Sequence, residues 1–239
     1  MKTLFSNLIA GALLISSLQS CVYVDSDGVP PRSTSTRTFD FRDFDRLEMG
    51  SAYRVHVNYG SEFSVSATGE QKDLDDLDIF VQNHELVVRY KDTWFSDRRR
   101  MDIDITMPDL YAVDFSGAVK SDIEDFENLN ELKIRLTGAS KLEFDGTAKS
   151  IDIDVSGASD LYLSGEGRYL DGELSGASRL NSLDYPVEES ELNLSGASDA
   201  RVWVTKLLDV DVSGASSLRY KGDPLVQKEV SGGSTVKRE

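Results

Sequence analysis

The chain of 239 residues holds a single cysteine, Cys21, and two histidines, His56 and His84. One cysteine excludes an internal disulfide. Two histidines leave little for a zinc or haem centre or for histidine-based acid–base chemistry, so no cofactor and no resident metal is expected. Positive charge is scarce as well: 26 Lys and Arg stand against 42 Asp and Glu, a formal net charge of −16. That balance excludes the basic footprint a nucleic acid needs and a broad electrostatic contact with anionic lipid. Long hydrophobic runs are missing too. The apolar stretch Leu8 to Leu18 is too short to span a bilayer. Apolar residues make up 39% of the chain, lean for a compact globule but suited to a thin column whose core is one layer of side chains wide.

What the chain has is repetition. A Ser-Gly-Ala-Ser motif, as at Ser156-Gly157-Ala158-Ser159, recurs with glycines at 117, 138, 157, 176, 196, 214 and 232. A near-fixed period of about 20 residues is the mark of stacked repeats. Two residues before each glycine stand Phe115, Leu136, Val155, Leu174, Leu194, Val212 and Val230; four after stand Ser121, Leu142, Leu161, Leu180, Ala200, Leu218 and Val236. Apolar residues two apart on both sides of a glycine describe strand, tight corner, strand. Gly172 and Lys228 interrupt the inward row four before the glycine. Between copies, Asp145-Gly146-Thr147, Ser164-Gly165-Glu166-Gly167, Asp184-Tyr185-Pro186 and Lys221-Gly222-Asp223-Pro224 read as turn-rich returns. One unit cannot bury its apolar stripe alone; equivalent strands stacked in parallel can. The expectation is an all-β parallel β-solenoid of about 20 residues per coil. A serine beside a glycine invites comparison with a nucleophile elbow, but seven copies without a recurring histidine make the motif a structural corner.

Residues 38 to 110 alternate without the glycine repeat, at Tyr53 to Tyr59, Phe63 to Ala67, Leu77 to Val81, Glu85 to Tyr90 and Met101 to Thr106. Val55, Val57, Val65, Ile103 and Ile105 form the inward set, and Gln82-Asn83-His84 has hairpin spacing. Met49-Gly50-Ser51-Ala52 looks like a degenerate further corner, which makes this layer an elaborated first part of the same stack. Trp94, Phe95, Arg98, Arg99 and Arg100 stand apart: an aromatic pair and three arginines in an acidic chain. They form either a loop bulging from the stack or a contact site for an acidic glycan, lipid head group or acidic partner.

Outward positions three and five before the glycine also stack. Lys133 and Arg135 precede Asp152 and Asp154, Asp171 and Glu173, Glu191 and Asn193, and Asp209 and Asp211. The basic rung should pair with the acidic one beside it. The remaining carboxylates form either a solvated acidic face or a ladder for divalent cations. The last copy, Val230 to Glu239, leaves an open coil, guarded by Lys237 and Arg238 or joined end to end with a second chain in a homo-oligomer.

The first 20 residues, with Lys2 ahead of the apolar stretch, have the order of a secretory signal. Leu18-Gln19-Ser20-Cys21 resembles a bacterial lipobox, which implies cleavage before Cys21 and acylation of that residue. Membrane association through the N-terminal lipid is the consequence. Val22 in place of an aspartate points to the outer membrane, with the leaflet open. Residues 21–37, with Gly28, Pro30, Pro31 and Ser33 to Thr36, read as a flexible tether, and 38–239 as one solenoid domain. The lipobox, the alternating strands, the run Ile103-Asp104-Ile105-Thr106-Met107-Pro108-Asp109-Leu110 and the repeated Ser-Gly-Ala-Ser together resemble the auto-transporter adhesin head GIN domain family of Bacteroidetes. The resemblance implies a right-handed parallel β-solenoid, exported and often lipid-anchored, without established catalytic residues. A non-enzymatic envelope module binding a glycan, a surface or a protein is the expectation. The alternatives are a carbohydrate-active enzyme using carboxylates along a β-helix groove, or a purely structural or assembly protein.

Overall fold

A computed structural model of the protein describes residues 29–92 and 97–239. Cys21 and the sequence before it lie outside the described residues.

Each repeat places its apolar side chains on alternate positions of two strand segments, and the glycine between them turns the chain through a corner. The result is a stack of long strands: β9 (Lys120–Leu136), β10 (Lys141–Val155), β11 (Asp160–Leu174), β12 (Arg179–Leu194) and β13 (Asp199–Val212). They pair in parallel in that order, with each residue above its equivalent in the previous repeat, as in Leu142↔Leu161 and Val155↔Leu174. The stack ends with β14 (Ser217–Lys221), β15 (Leu225–Val230) and β16 (Thr235–Arg238), where β15 continues one segment of β13 and β16 stacks on β14. The molecule is a β-solenoid. Its core is a set of in-line rows, such as Ile134, Ile153, Leu192 and Val210, at 0 to 2% exposure. Each such side chain contributes roughly 1.5–3 kcal/mol by burial.

The expected turn-rich returns are not turns for the most part. β10, β11 and β12 run straight through Asp145-Gly146-Thr147, Ser164 to Gly167 and Asp184-Tyr185-Pro186 as continuous strand. The bend is taken up by register shifts, at Asp145/Gly146 against β9 and at Ser182/Pro186 against β13. A bulge lets an extended chain change direction without surrendering its ladder. Only the return at Gly222-Asp223-Pro224 separates two strands, β14 and β15.

The N-terminal layer belongs to the same sheet. β2 (Arg46–Ser51) lies parallel on β8 (Ala112–Gly117), and β3 (Tyr53–Tyr59) parallel on β9. The degenerate corner exists one residue from where its glycine suggests: Met49 pairs Phe115, but Ser51, not Gly50, pairs Gly117. Elaboration comes from antiparallel additions. β7 (Met101–Met107) extends β3 in parallel, β4 (Ser64–Gly69) pairs β7 antiparallel, and β1 (Ser35–Phe39) pairs β4 antiparallel. β1 thus opens at Ser35, within the stretch read as tether. β5 (Leu77–Gln82) and β6 (Glu85–Tyr90) form the hairpin, with Asn83 and His84 at φ of 53° and 62°, the conformation a two-residue turn requires. A single short helix among the described residues, α1 (Gln71–Asp75), links β4 to β5. The inward set Val55, Val57, Val65, Ile103 and Ile105 is at 0 to 1% exposure.

Candidate functional site

The repeated corner is scaffold. Gly157 has φ of 78°, and a Cβ there would stand 2.3 Å from the Gly138 carbonyl oxygen. The backbone of each corner rests directly on the one before it, with Ala158 N–H donating to Gly138 O at 2.7 Å and Ala177 N–H to Gly157 O at 2.7 Å. The second serine of the five middle copies turns inward: Ser140, Ser159, Ser178, Ser198 and Ser216 are at 0 to 2% exposure. Ser159 Oγ accepts from Ser140 N–H at 3.2 Å, Ser140 Oγ donates to Thr137 O at 3.0 Å, and the Ser178 and Ser198 hydroxyls meet at 3.3 Å. A row of hydroxyls spent on backbone and on each other satisfies buried polar groups; it presents no nucleophile to solvent.

Of the aromatic–arginine stretch, Trp94 and Phe95 lie outside the described residues. Arg98, Arg99 and Arg100 are drawn into the N-terminal layer. Arg98 pairs with Asp76 at 2.5 Å, stands 3.9 Å from Asp73, donates to the Asp92 carbonyl, and lies over the Tyr90 ring at 3.6 Å. Arg99 N–H donates to Asp73 at 3.2 Å, and Arg100 pairs with Asp102 at 3.2 Å. All three guanidinium groups are a quarter exposed or less. Burial pushes the Tyr53 and Tyr90 hydroxyls, beside this cluster, far above the usual phenol range. Here the arginines meet acids of their own chain.

On the face before the corner, Arg135 bridges rungs, at 3.1 Å from Asp154 and 3.9 Å from Asp114. Lys133, although in register with Asp152, turns instead to Glu131 at 3.4 Å. Burial raises Asp171 above the ordinary carboxylate range; the charges of Glu191, Asp152 and Glu189 add to it, and the Glu191 N–H donated at 3.0 Å opposes it. Asp114 is raised mainly by burial, with Arg135 opposing. Among the described residues no group of three or more His, Cys, Asp or Glu comes together to hold a metal ion.

The face after the corner carries a different pattern. A column five residues beyond the glycine runs Asp122, Glu143, Tyr162, Asn181, Arg201, Arg219, Lys237, each in register with the next. Its early rungs are acidic. A shallow cavity of about 310 Å³ lies beside them, lined among others by Glu124, Glu143, Asp145, Tyr162, Asn181 and Asp184. His56 joins the column through Asp122, at 2.7 Å. Its late rungs are basic, and Lys221, in register with Trp203, sits 3.5 Å over that indole ring. The charged positions three and five before the glycine do not reveal this column; its signal in the sequence is position five after each glycine, between the core positions four and six.

Fold and corner together define a class: a parallel β-solenoid whose repeated polar motif is structural and whose outer columns vary from rung to rung. The chain belongs to the family described as "Putative auto-transporter adhesin, head GIN domain", whose model matches residues 43–224. Among solved structures it is similar to a putative adhesin from Bacteroides fragilis, at 19% identity and a TM-score of 0.80 over 88% of this chain and 99% of that one. It is also similar to a putative adhesin from Parabacteroides distasonis, at 18% identity and a TM-score of 0.69 over 88% and 99%. A third likeness is to a putative lipid binding protein from the same organism, at 19% identity and a TM-score of 0.68 over 87% and 97%. At these identities the likeness establishes the fold. No curated protein matches the chain. No helix of the described residues is long and apolar enough to cross a membrane.

Proposed function

We propose that the protein is a lipid-anchored module of the cell envelope that binds or adheres without catalysing a reaction. The observation that carries this reading is the division of labour in the repeat. The second serines of the five middle copies are buried and spent on backbone and on each other, while the side chains that differ from rung to rung face outward, as a recognition surface requires. Membership of an adhesin head family supports it. The Leu18-Gln19-Ser20-Cys21 sequence supports attachment through an acylated Cys21, since several acyl chains make anchoring stable.

Two measurements test this. Beads coated with the protein should be retained on at least one member of a panel of glycan- and protein-coated surfaces; retention on none would sink the adhesion reading. Full-length Cys21→Ala should leave the membrane fraction; unchanged membrane association would sink the lipid anchor.

A further inference from the structure

We propose that the column Arg201, Arg219 and Lys237, with Lys221 beside it, is a binding strip for a linear anionic glycan that carries about one carboxylate or sulfate per sugar. The inference deepens the adhesion reading and rests on it.

The chain is strongly acidic, with a net charge of −16. Yet three consecutive rungs of one column are cationic: Arg201 pairs Arg219 on β14, and Arg219 pairs Lys237 on β16. Like charges directly opposite on neighbouring strands are destabilising, so the arrangement works against the fold unless an external anion relieves it. Relief from within is slight. Arg201 stands 3.8 Å from Glu239, and Asp199 lies two residues along the same strand. Among the described residues no carboxylate lies within ion-pair distance of Arg219 or Lys237. Lys221 is held on the same face by the Trp203 ring at 3.5 Å. The neighbouring Arg179 is engaged by Asp160 at 3.1 Å, and Arg238 by Asp223 at 3.1 Å.

Charge density along one line selects the ligand. Rungs repeat every ~4.8 Å along the solenoid axis, so the column sets three cations in a line about 10 Å long. A linear glycan with one acid group per sugar offers anions at a comparable density along a single axis. A second copy of the chain pairing through the same strip would set cation against cation. A flat anionic bilayer would also meet the acidic remainder of the molecule.

The test is titration of the full-length protein with polygalacturonate, with dextran as the neutral control, at low and physiological salt. Binding should appear with polygalacturonate only and weaken as salt rises. Arg219→Ser/Lys237→Ser should weaken it at least tenfold while the circular dichroism spectrum stays unchanged. Lys149→Ser, at a distant outward position, should bind as the parent does. The proposal is overturned by absence of binding at low salt, by equal affinity for dextran, or by full affinity in the double variant. It is also overturned if the strip substitutions abolish binding to anionic phospholipid vesicles, or self-association in light scattering, and leave polygalacturonate binding intact. Surface adhesion without polygalacturonate binding sinks the strip alone; polygalacturonate binding without adhesion supports the strip and sinks the adhesion reading alone.

Discussion

A methyl group at Gly157 would collide with the Gly138 carbonyl oxygen at 2.3 Å, on a backbone already at φ of 78°. Both the contact and the conformation oppose any side chain. Gly157→Ala should therefore cost about 1–3 kcal/mol, read as a lowered thermal midpoint. The adjacent position in the final copy behaves differently. A Cβ at Gly233 would meet only the Gly214 carbonyl oxygen, at 3.6 Å, so Gly233→Ala should stay within about 0.5 kcal/mol of the parent. Equal losses at both positions would show that the corner is not limited by backbone approach. Tyr185 is a second point of leverage. It is fully buried, its hydroxyl accepting from Ala148 N–H at 3.0 Å and donating to Ala148 O at 3.2 Å, and burial pushes it up to about 12. Tyr185→Phe strips both partners from a buried backbone pair and should cost about 1–3 kcal/mol, measured by denaturant titration. Gly172, which reads in sequence as a weak rung, has φ of 146° with a Cβ position 2.0 Å from Ile153 O. The strand there passes too close to its neighbour for a side chain.

Elements show where the repeat changes its rules. β15 carries Lys228 in the row occupied by Leu192 and Val210. Leu225 and Val230 on the same strand are 66% and 45% exposed. A charge at an inward position of an outer strand discourages pairing with another edge. Lys228→Val should complete the apolar row at that edge and increase self-association with concentration, followed by sedimentation velocity. An unchanged sedimentation profile would remove Lys228 from that role. The returns are the other lesson at this scale. Pro186 and Gly146 mark bends, as their residue types suggest. But the chain stays extended through them because the neighbouring coil offers a continuous ladder, and a bulge costs fewer hydrogen bonds than a loop.

Over the whole molecule, charge sets the response to pH. Burial and its acidic neighbours raise the Asp171 carboxyl in the folded state. A carboxyl with a raised folded pKa has no linkage effect below its unfolded value, where both states are protonated; stability is lost as pH climbs from the unfolded to the folded value, and the penalty stays in full above it. Asp171→Asn should therefore raise the thermal midpoint at neutral pH, and the gain should vanish below about pH 4, where the unfolded carboxyl is protonated as well. Circular dichroism melts at the two pH values check it; a gain that persists in acid would place the effect in packing rather than charge. Legibility follows the same physical divide. The solenoid, its period, its corners and its inward rows are written in local alternation and in glycine spacing, because each repeat meets the same neighbour environment as the last. The arginines at 98 to 100 are equally visible as residues, but their partners Asp73, Asp76 and Asp102 come from different elements. The amino-acid order by itself determined that this chain stacks, since a strand–corner–strand unit has no other way to bury its apolar stripe. Only the tertiary structure decided that the returns stay in the sheet and that Ser51 takes the place of a corner glycine. Those outcomes depend on register between strands distant in the chain, and register is fixed by the packed stack, not by any one repeat.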